Sequence, residues 1–221
     1  MHGVFDIIGP VMIGPSSSHT AGAARLGLMA YKVLGEPVAR AGILLTGSFA
    51  QTYRGHGTDK ALVAGILGMQ PEDERIRDAF EVAKEQGLEY AFQKTEIQGA
   101  HPNTAELHLT GISGKIAVVR GASVGGGNIL ITKINDYDVN ITGRYPAIVT
   151  IQQDKPGVIM NVTSVLAMAG VNIAFMHVAR RNRGEQAMGI LELDEAPVSG
   201  VVEAIREIDG IEQAFAIPAI G

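Results

Sequence analysis

The sequence predicts an α+β protein built from two domains, a mixed α+β domain over residues 1–143 and a second domain over residues 147–221. The chain has 221 residues, which is long for one small domain and comfortable for two. Hydrophobic residues make up 46% of the chain and charged residues 19%, as in an ordinary folded protein. Helical and strand periodicities occur on both sides of Gly143-Arg144-Tyr145-Pro146, which we interpret as the junction between the domains.

The second domain alternates strands and helices in a regular order. A β-branched strand at 147–151 is broken by Pro156-Gly157, and apolar residues at helical spacing follow over 158–169. Strands at 172–179 and 186–193, a helix over 201–208 and a strand at 211–217 complete the domain. The order β-α-β-β-α-β predicts a ferredoxin-like domain.

The first domain combines helices and strands less regularly. Apolar residues at helical spacing follow Thr20, and Thr58 is the predicted N-cap of a second helix. Pro71 at a first helical position opens a third helix, which Gly87 closes. Strands are predicted at 5–8, 38–45, 89–95, 104–109, 115–120 and 128–134.

Composition and charge exclude several classes of protein. The net charge is −5 and the pI is about 5.7, so we expect no nucleic-acid partner, which requires a basic face. The chain has no cysteine, which excludes disulfides and thiolate ligands, so a cysteine-held cofactor must come from another chain. The N-terminus lacks a signal-peptide pattern, and no apolar run reaches about 18 residues, so we expect a cytoplasmic chain without a membrane span.

The densest group of chemically active side chains is the serine loop, Gly14-Pro15-Ser16-Ser17-Ser18-His19-Thr20-Ala21-Gly22. One hydroxyl is enough to cap a helix, and this loop offers four. Hydroxyls and free amides at a helix N-terminus form a good cradle for a carboxylate, and His19 adds a group that titrates near neutral pH. We therefore interpret Ser16, Ser17, Ser18 and Thr20 as candidate ligands of a substrate.

A second group lies in the segment 46–59. His56 stands between Gly55 and Gly57, just ahead of a predicted helix, so its neighbours offer nothing to pack against. This placement favours a functional histidine, and a loop histidine on a polar surface is the competing interpretation. Arg54 is a candidate bidentate partner for a carboxylate.

Two weaker motifs follow along the chain. His101-Pro102-Asn103-Thr104 has the composition of a turn before a strand, and by itself it favours the turn interpretation. Gly125-Gly126-Gly127 is compatible with an anion-binding nest, a hairpin turn or a hinge. No histidine pair at helical spacing has an acidic partner, so we assign no metal ligand to this chain.

Asp154-Lys155-Pro156-Gly157-Val158 and Gly170-Val171-Asn172-Ile173, set in the β-α-β-β-α-β order, resemble an ACT domain. ACT domains bind small ligands, usually amino acids, and often pair side by side. The resemblance implies a regulatory site for a small amino acid, L-serine first, at Pro156, Gly157 and Asn172. It also implies self-association of the chain through this domain. A purely structural, dimerising ACT domain is the alternative.

Four blocks in order resemble the beta subunit of bacterial iron–sulfur L-serine dehydratases: the serine loop, the segment 47–61, His101-Pro102-Asn103-Thr104 and Gly125-Gly126-Gly127-Asn128. With the ACT domain, the resemblance covers the whole chain. It implies a subunit of a lyase that converts L-serine to pyruvate and ammonia. It also implies a [4Fe-4S] cluster bound by cysteines of a separate alpha chain, since single-chain members continue into a cysteine-bearing domain.

The family reaction needs Lewis-acid activation of the substrate hydroxyl by the cluster and a base for the α-proton. The resemblance implies catalytic roles for His56 and His19, without deciding which is the base. It implies substrate binding by Ser16, Ser17, Ser18, Thr20, Arg54, Asn103 and Gly126. The chain without its partner is expected to be inactive.

Two other functions are compatible with the sequence. One is a non-catalytic amino-acid sensor built on the ACT domain, which would have no cysteine-containing partner. The other is a complete enzyme that uses His19 and His56 by itself, which would act on L-serine without a second chain.

Overall fold

The computed structural model describes residues 13, 14 and 16–220. The strand predicted at 5–8 lies outside the described residues. The chain forms two compact units, of which the first extends to Asn135 and the second covers Gly143–Ala219, with residues 136–142 divided between them. In the part of the chain that the structure describes, no helix is long and apolar enough to cross a membrane.

A six-stranded sheet organises the first unit. Its strands are β1 (Val38–Leu45), β2 (Glu89–Lys94), β3 (Thr104–Gly111), β4 (Ile116–Gly125), β5 (Asn128–Ile134) and β6 (Tyr137–Ile141). They lie in the order β2-β1-β3-β4-β5-β6. β2 runs parallel to β1, whereas β3, β4 and β5 each run antiparallel to the strand before them in that order.

Helices cover one face of this sheet. They are α1 (Gly22–Leu34), α2 (Gly47–Thr52), α3 (Thr58–Ile66) and α4 (Ala79–Glu85); a π-helical turn, Ser17–Ala21, leads into α1, and a 3-10 turn, Glu74–Asp78, leads into α4. α1 packs against β3, β4 and β5, and α3 packs against α1 and α4. Along β3, Leu107 and Leu109 are buried while His108 between them is exposed, because neighbouring residues of a strand point to opposite faces.

Two helix starts differ from the sequence-based predictions. Thr58 is not the N-cap of α3 but its first residue, and the cap is Gly57 with φ of 70°, a left-handed conformation that glycine adopts without steric cost. Pro71 does not open a helix. Residues 71 and 72 form a turn, and Asp73 caps the 3-10 turn by accepting a hydrogen bond from the Arg75 amide at 2.9 Å. The short elements α2 and β6 were not predicted.

The second unit has the predicted ferredoxin-like arrangement. Its elements are β7 (Ala147–Gln153), α5 (Val158–Met168), β8 (Ile173–Arg180), β9 (Gln186–Leu193), α6 (Val201–Arg206) and β10 (Ile211–Ile217). The four strands form an antiparallel sheet in the order β10-β7-β9-β8. Its core is made of Ile148, Val162, Leu166, Leu191, Leu193, Val201, Ile205 and Ala214.

Candidate functional site

The serine loop enters α1 through the π-helical turn. Ser16 precedes the turn in an extended conformation, and its hydroxyl accepts a hydrogen bond from the His19 amide at 3.2 Å. Its carbonyl accepts a hydrogen bond from the Thr20 amide at 2.8 Å. Ser16 therefore supplies the cap. Ser17 and Ser18 are half-buried, and their hydroxyls form no hydrogen bond to another described residue, so both remain available to a ligand.

The imidazole of His19 is held at both ring nitrogens. Its Nε2 lies 3.2 Å from the Ser48 hydroxyl, and its Nδ1 lies 3.4 Å from the Ser16 hydroxyl. A neutral imidazole donates through one nitrogen and accepts through the other, and a hydroxyl can do either. Ser48, which lies in α2, was not among the predicted site residues.

The two histidines that the sequence singled out lie side by side. The ring centroids of His19 and His56 are 4.9 Å apart. On another side of His19, the Phe49 ring makes an edge contact with a centroid distance of 5.3 Å. The Thr20 hydroxyl donates to the carbonyl of His56 at 3.5 Å. The starts of α1 and α3 thus bring together two loops that are far apart in the sequence.

The environments of the two imidazoles differ. Partial burial lowers the pKa of His19 below its ordinary value of 6.5, and the nearby His56 lowers it further, because both disfavour the charged ring. His19 is therefore neutral at physiological pH. The ring of His56 is exposed and accepts or donates no hydrogen bond within the described part of the chain. Of the two, His56 is the ring with free nitrogens.

A cavity of about 340 Å³ opens beside His56. Its wall includes Gly14, Thr20 and Gly57, and Lys60 lies on the same wall with its ammonium donating to the Arg77 carbonyl at 2.5 Å. A cavity of this volume is large enough for a small amino acid. The cavity lies between the serine loop and the loop that carries His56.

Three predicted substrate ligands have surroundings other than a hydrogen bond to the histidine pair. Arg54 is exposed and stacks its guanidinium over the Tyr53 ring at 5.5 Å. Asn103 lies in the turn before β3, where its carbonyl accepts a hydrogen bond from the Ser123 amide at 3.0 Å. Gly126 lies in the β4–β5 turn with φ of 60°. In the described structure, none of the three forms a hydrogen bond with either histidine.

The predicted regulatory residues lie at the two ends of α5. Gly157 is the N-cap of α5, with φ of 93°, and follows Pro156. Asn172 follows the other end of the helix and lines a cavity of about 380 Å³ with Thr163 and Val171. Its amide donates to the Asp194 carboxylate at 2.6 Å. The 11 residues of α5 span about 16 Å, which is too far for one small amino acid to contact both ends within one copy.

The described residues offer no metal centre. No group of three or more histidine, aspartate or glutamate side chains among them could hold a metal ion, and the chain has no cysteine. An iron–sulfur cluster needs thiolate ligands in most proteins. The donors of this chain therefore do not fit such a cluster.

The fold and the site define a two-domain chain in which a histidine–hydroxyl site in an α+β domain is joined to a ferredoxin-like domain. The family model of the serine dehydratase beta chain matches residues 3–133, and that of the ACT domain matches residues 147–210. The chain therefore belongs to the serine dehydratase beta chain family, as the sequence motifs predicted.

Named relatives agree with this assignment. The chain is 41% identical over 214 residues to the probable L-serine dehydratase beta chain of Bacillus subtilis, covering 97% of each chain. It is 35% identical over 209 residues to the L-serine dehydratase beta chain of Peptoniphilus asaccharolyticus, covering 94% of each. It is also 35% identical over 113 residues to the L-serine dehydratase of Streptomyces coelicolor, which is 48% of this chain and 25% of that protein.

Proposed function

We propose that this chain is the beta subunit of an L-serine dehydratase, which converts L-serine to pyruvate and ammonia together with an alpha chain. The two relatives named as beta chains support the subunit role. The observation that carries the proposal is the contact of His19 with His56 at 4.9 Å, beside a cavity and a loop in which the Ser17 and Ser18 hydroxyls form no hydrogen bond to another described residue. In this proposal residues 1–143 handle the substrate, and residues 147–221 form the regulatory ACT domain.

His56 is proposed as the base that removes the α-proton of L-serine. The ring is exposed, unlike that of His19, and its nitrogens are free within the described structure. A neutral imidazole placed next to the α-carbon can accept its proton in this step. Elimination of water then leaves an enamine, which hydrolyses to pyruvate and ammonia.

His19 is proposed to position the substrate and the neighbouring ring. Its neutral imidazole bridges the Ser16 and Ser48 hydroxyls, so it orders the loops on both sides of the pair. Because it is neutral, it adds no charge that would oppose protonation of His56. This assignment gives the two histidines different roles.

The substrate carboxylate is proposed to bind at the serine loop. Ser17 and Ser18 have hydroxyls available for a ligand, and Thr20 lines the cavity beside His56. Hydroxyl groups at the start of a helix suit a carboxylate. Arg54, Asn103 and Gly126 are proposed to contact the substrate from the surrounding loops when the partner encloses the site.

The [4Fe-4S] cluster is proposed to be held by cysteines of the alpha chain, because this chain has none. When bound there, the cluster supplies Lewis-acid activation of the substrate hydroxyl. His19, His56 and the serine loop then face the partner across the active site. The proposal places the reaction in the cytoplasm and excludes nucleic acid and membrane as partners.

The ACT domain is proposed to pair two copies of the chain and to bind L-serine between them. β8 is an edge strand of its sheet, and its Phe175, Met176 and Val178 side chains are exposed. An unpaired strand edge with apolar side chains favours association with another chain. Since Pro156 and Asn172 lie at opposite ends of α5, a ligand site that uses both requires two copies.

Anaerobic co-expression with the alpha chain tests the proposed function. The purified complex should contain iron and sulfide and form pyruvate from L-serine, and the chain purified alone should do neither. An active chain without partner or cluster would show a complete enzyme. An inactive complex whose beta chain still binds amino acids would show a sensor instead.

A further inference from the structure

Two glycines bring the backbones of α1 and α3 into contact. A Cβ atom added to Gly65 would meet the Ala24 carbonyl oxygen and would lie 2.6 Å from the Leu28 nitrogen. A Cβ atom added to Gly27 would meet the Leu62 carbonyl oxygen and would lie 2.9 Å from the Ile66 nitrogen. All four atoms belong to the main chain, which cannot move aside as a flexible side chain can. Alanine at either position therefore requires the helices to separate.

The two glycines follow the two histidines at similar separations in the sequence. His19 precedes Gly27 by between two and three helical turns, and His56 precedes Gly65 by between two and three turns as well. The rings lie 4.9 Å apart at one end, and the glycines touch further along. Helices α1 and α3 therefore run in the same general direction from the histidine pair, and their backbones are in contact at Gly27 and Gly65.

The histidines are attached closely to the helices. His19 belongs to the π-helical turn that continues into α1, and only Gly57 stands between His56 and α3. Little chain is available between ring and helix to absorb a displacement. A change in the separation of α1 and α3 is therefore transmitted to the distance between the rings.

We infer that the Gly27–Gly65 contact is a positioning device that sets the spacing of His19 and His56. Neither glycine lines the cavity beside His56, so both act through the histidines. Glycine is disfavoured in a helix interior relative to alanine, and its use at both sides of one contact fits a requirement for close approach. The catalytic meaning of the spacing rests on the proposed function, whereas the spacing itself can be measured without it.

The test uses Gly65→Ala and Gly27→Ala in the full chain, with the histidine ring signals followed by NMR through a pH titration. Separation of the helices exposes His19 and moves it away from His56. Because burial and His56 together hold its pKa below the ordinary value, the His19 pKa should rise in both variants. In the complex with the alpha chain, kcat should fall by about 10- to 100-fold, as expected for a small misplacement of reacting groups, with KM changed much less.

Ile66→Val is the matched control. Ile66 is buried on α3 near Gly27, and its truncation destabilises the same helix pair without inserting an atom between the backbones. It should lower the melting temperature and leave the His19 titration and kcat at wild-type values. If the His19 titration and kcat changed as much in the control as in the alanine variants, the Gly27–Gly65 contact would have no positioning role beyond ordinary helix packing.

The possible outcomes are separable. Folded glycine variants with a wild-type His19 titration and wild-type kcat overturn the inference, even if the wild-type complex is active. Failure of both variants to fold also counts against it, since a positioning role needs a folded chain with displaced histidines. If the wild-type complex has no dehydratase activity but the His19 pKa still rises in the variants, the positioning device stands and the proposed function fails.

Discussion

Separate alanine substitutions of His56 and His19 distinguish a catalytic role from a structural role for each histidine. The His56 ring is exposed and has no hydrogen bond within the described structure. His56→Ala should therefore change the free energy of unfolding by no more than about 0.5 kcal/mol. If His56 is the base, the same substitution should lower kcat by about 10²- to 10⁴-fold.

His19→Ala should give a different pair of effects. The substitution removes the hydrogen bond to Ser48 at 3.2 Å, the contact with Ser16 at 3.4 Å and the edge contact with Phe49. At about 0.5–1.5 kcal/mol for each hydrogen bond, the free energy of unfolding should fall by about 1–3 kcal/mol. For a chain of this size, each kcal/mol lowers the melting temperature by about 2–4 °C. The loss of kcat should be smaller than for His56→Ala, because positioning is disturbed but the base remains.

The assay requires the complex with the alpha chain, purified without oxygen. Melting temperature, iron and sulfide content, and kcat for pyruvate formation should be measured for each variant. His108→Ala is the control, because His108 is exposed on the face of the sheet away from the helices. Wild-type kcat in both His19→Ala and His56→Ala, with an intact cluster, would refute the catalytic role. A collapse of kcat in His19→Ala alone would exchange the two roles.

Four further results are expected. The folded-state pKa of His19 lies below 6.5, so the unfolded chain binds more protons than the folded chain below that pH. The neutral His19 ring therefore contributes to the free energy of unfolding in full above pH 6.5. This contribution is lost as the pH falls toward the folded-state pKa. Urea unfolding between pH 7.5 and 5 should accordingly show a smaller decline for His19→Gln than for the wild type. Ser48→Ala removes a hydrogen-bond partner of His19 and should destabilise the complex by about 1 kcal/mol. It should lower kcat less than His56→Ala does, and equal losses of kcat in the two variants would indicate a direct catalytic role for Ser48. The chain purified alone should contain no stoichiometric iron or sulfide and show no charge-transfer absorbance, and iron at one cluster per chain would contradict the split-subunit proposal. Calorimetry on the full chain should detect L-serine binding that Asn172→Ala weakens by more than 10-fold, since about 1.4 kcal/mol corresponds to a factor of ten; no heat with any amino acid would leave the ACT domain a structural role only.

Sequence periodicity was sufficient for most of the fold. The strands at 38–45, 128–134, 186–193 and 211–217 coincide with β1, β5, β9 and β10, because each is bounded by residues that break a strand. α2 was missed because its six residues are too few to display a helical period. The start of α3 was misplaced because Thr58 and Gly57 are both acceptable caps in sequence, and only the backbone conformation distinguishes them.

The candidate site was predicted only in part. The glycines around His56 and the hydroxyls around His19 indicated both histidines, but nothing local to either loop gave their distance. Ser48 was overlooked because its contact with His19 joins residues far apart in the sequence and depends on α2, which was not predicted. Asn172 and Pro156 were grouped by their motifs, yet α5 separates them within one copy.

Under the proposed function, the different environments of the two histidines allow one ring to stay neutral while the other accepts a proton. Two charged imidazoles 4.9 Å apart would repel one another by about 1–3 kcal/mol, between the dielectric of water and that near a protein surface. That repulsion would weaken a base whose task is to accept a proton. Burial and the nearby His56 lower the pKa of His19, so under the proposed function His56 would take up the proton beside an uncharged ring. Since the Ser16 and Ser48 hydroxyls both lie against the His19 ring, substitutions at Ser16 and Ser48 are expected to affect turnover through His19.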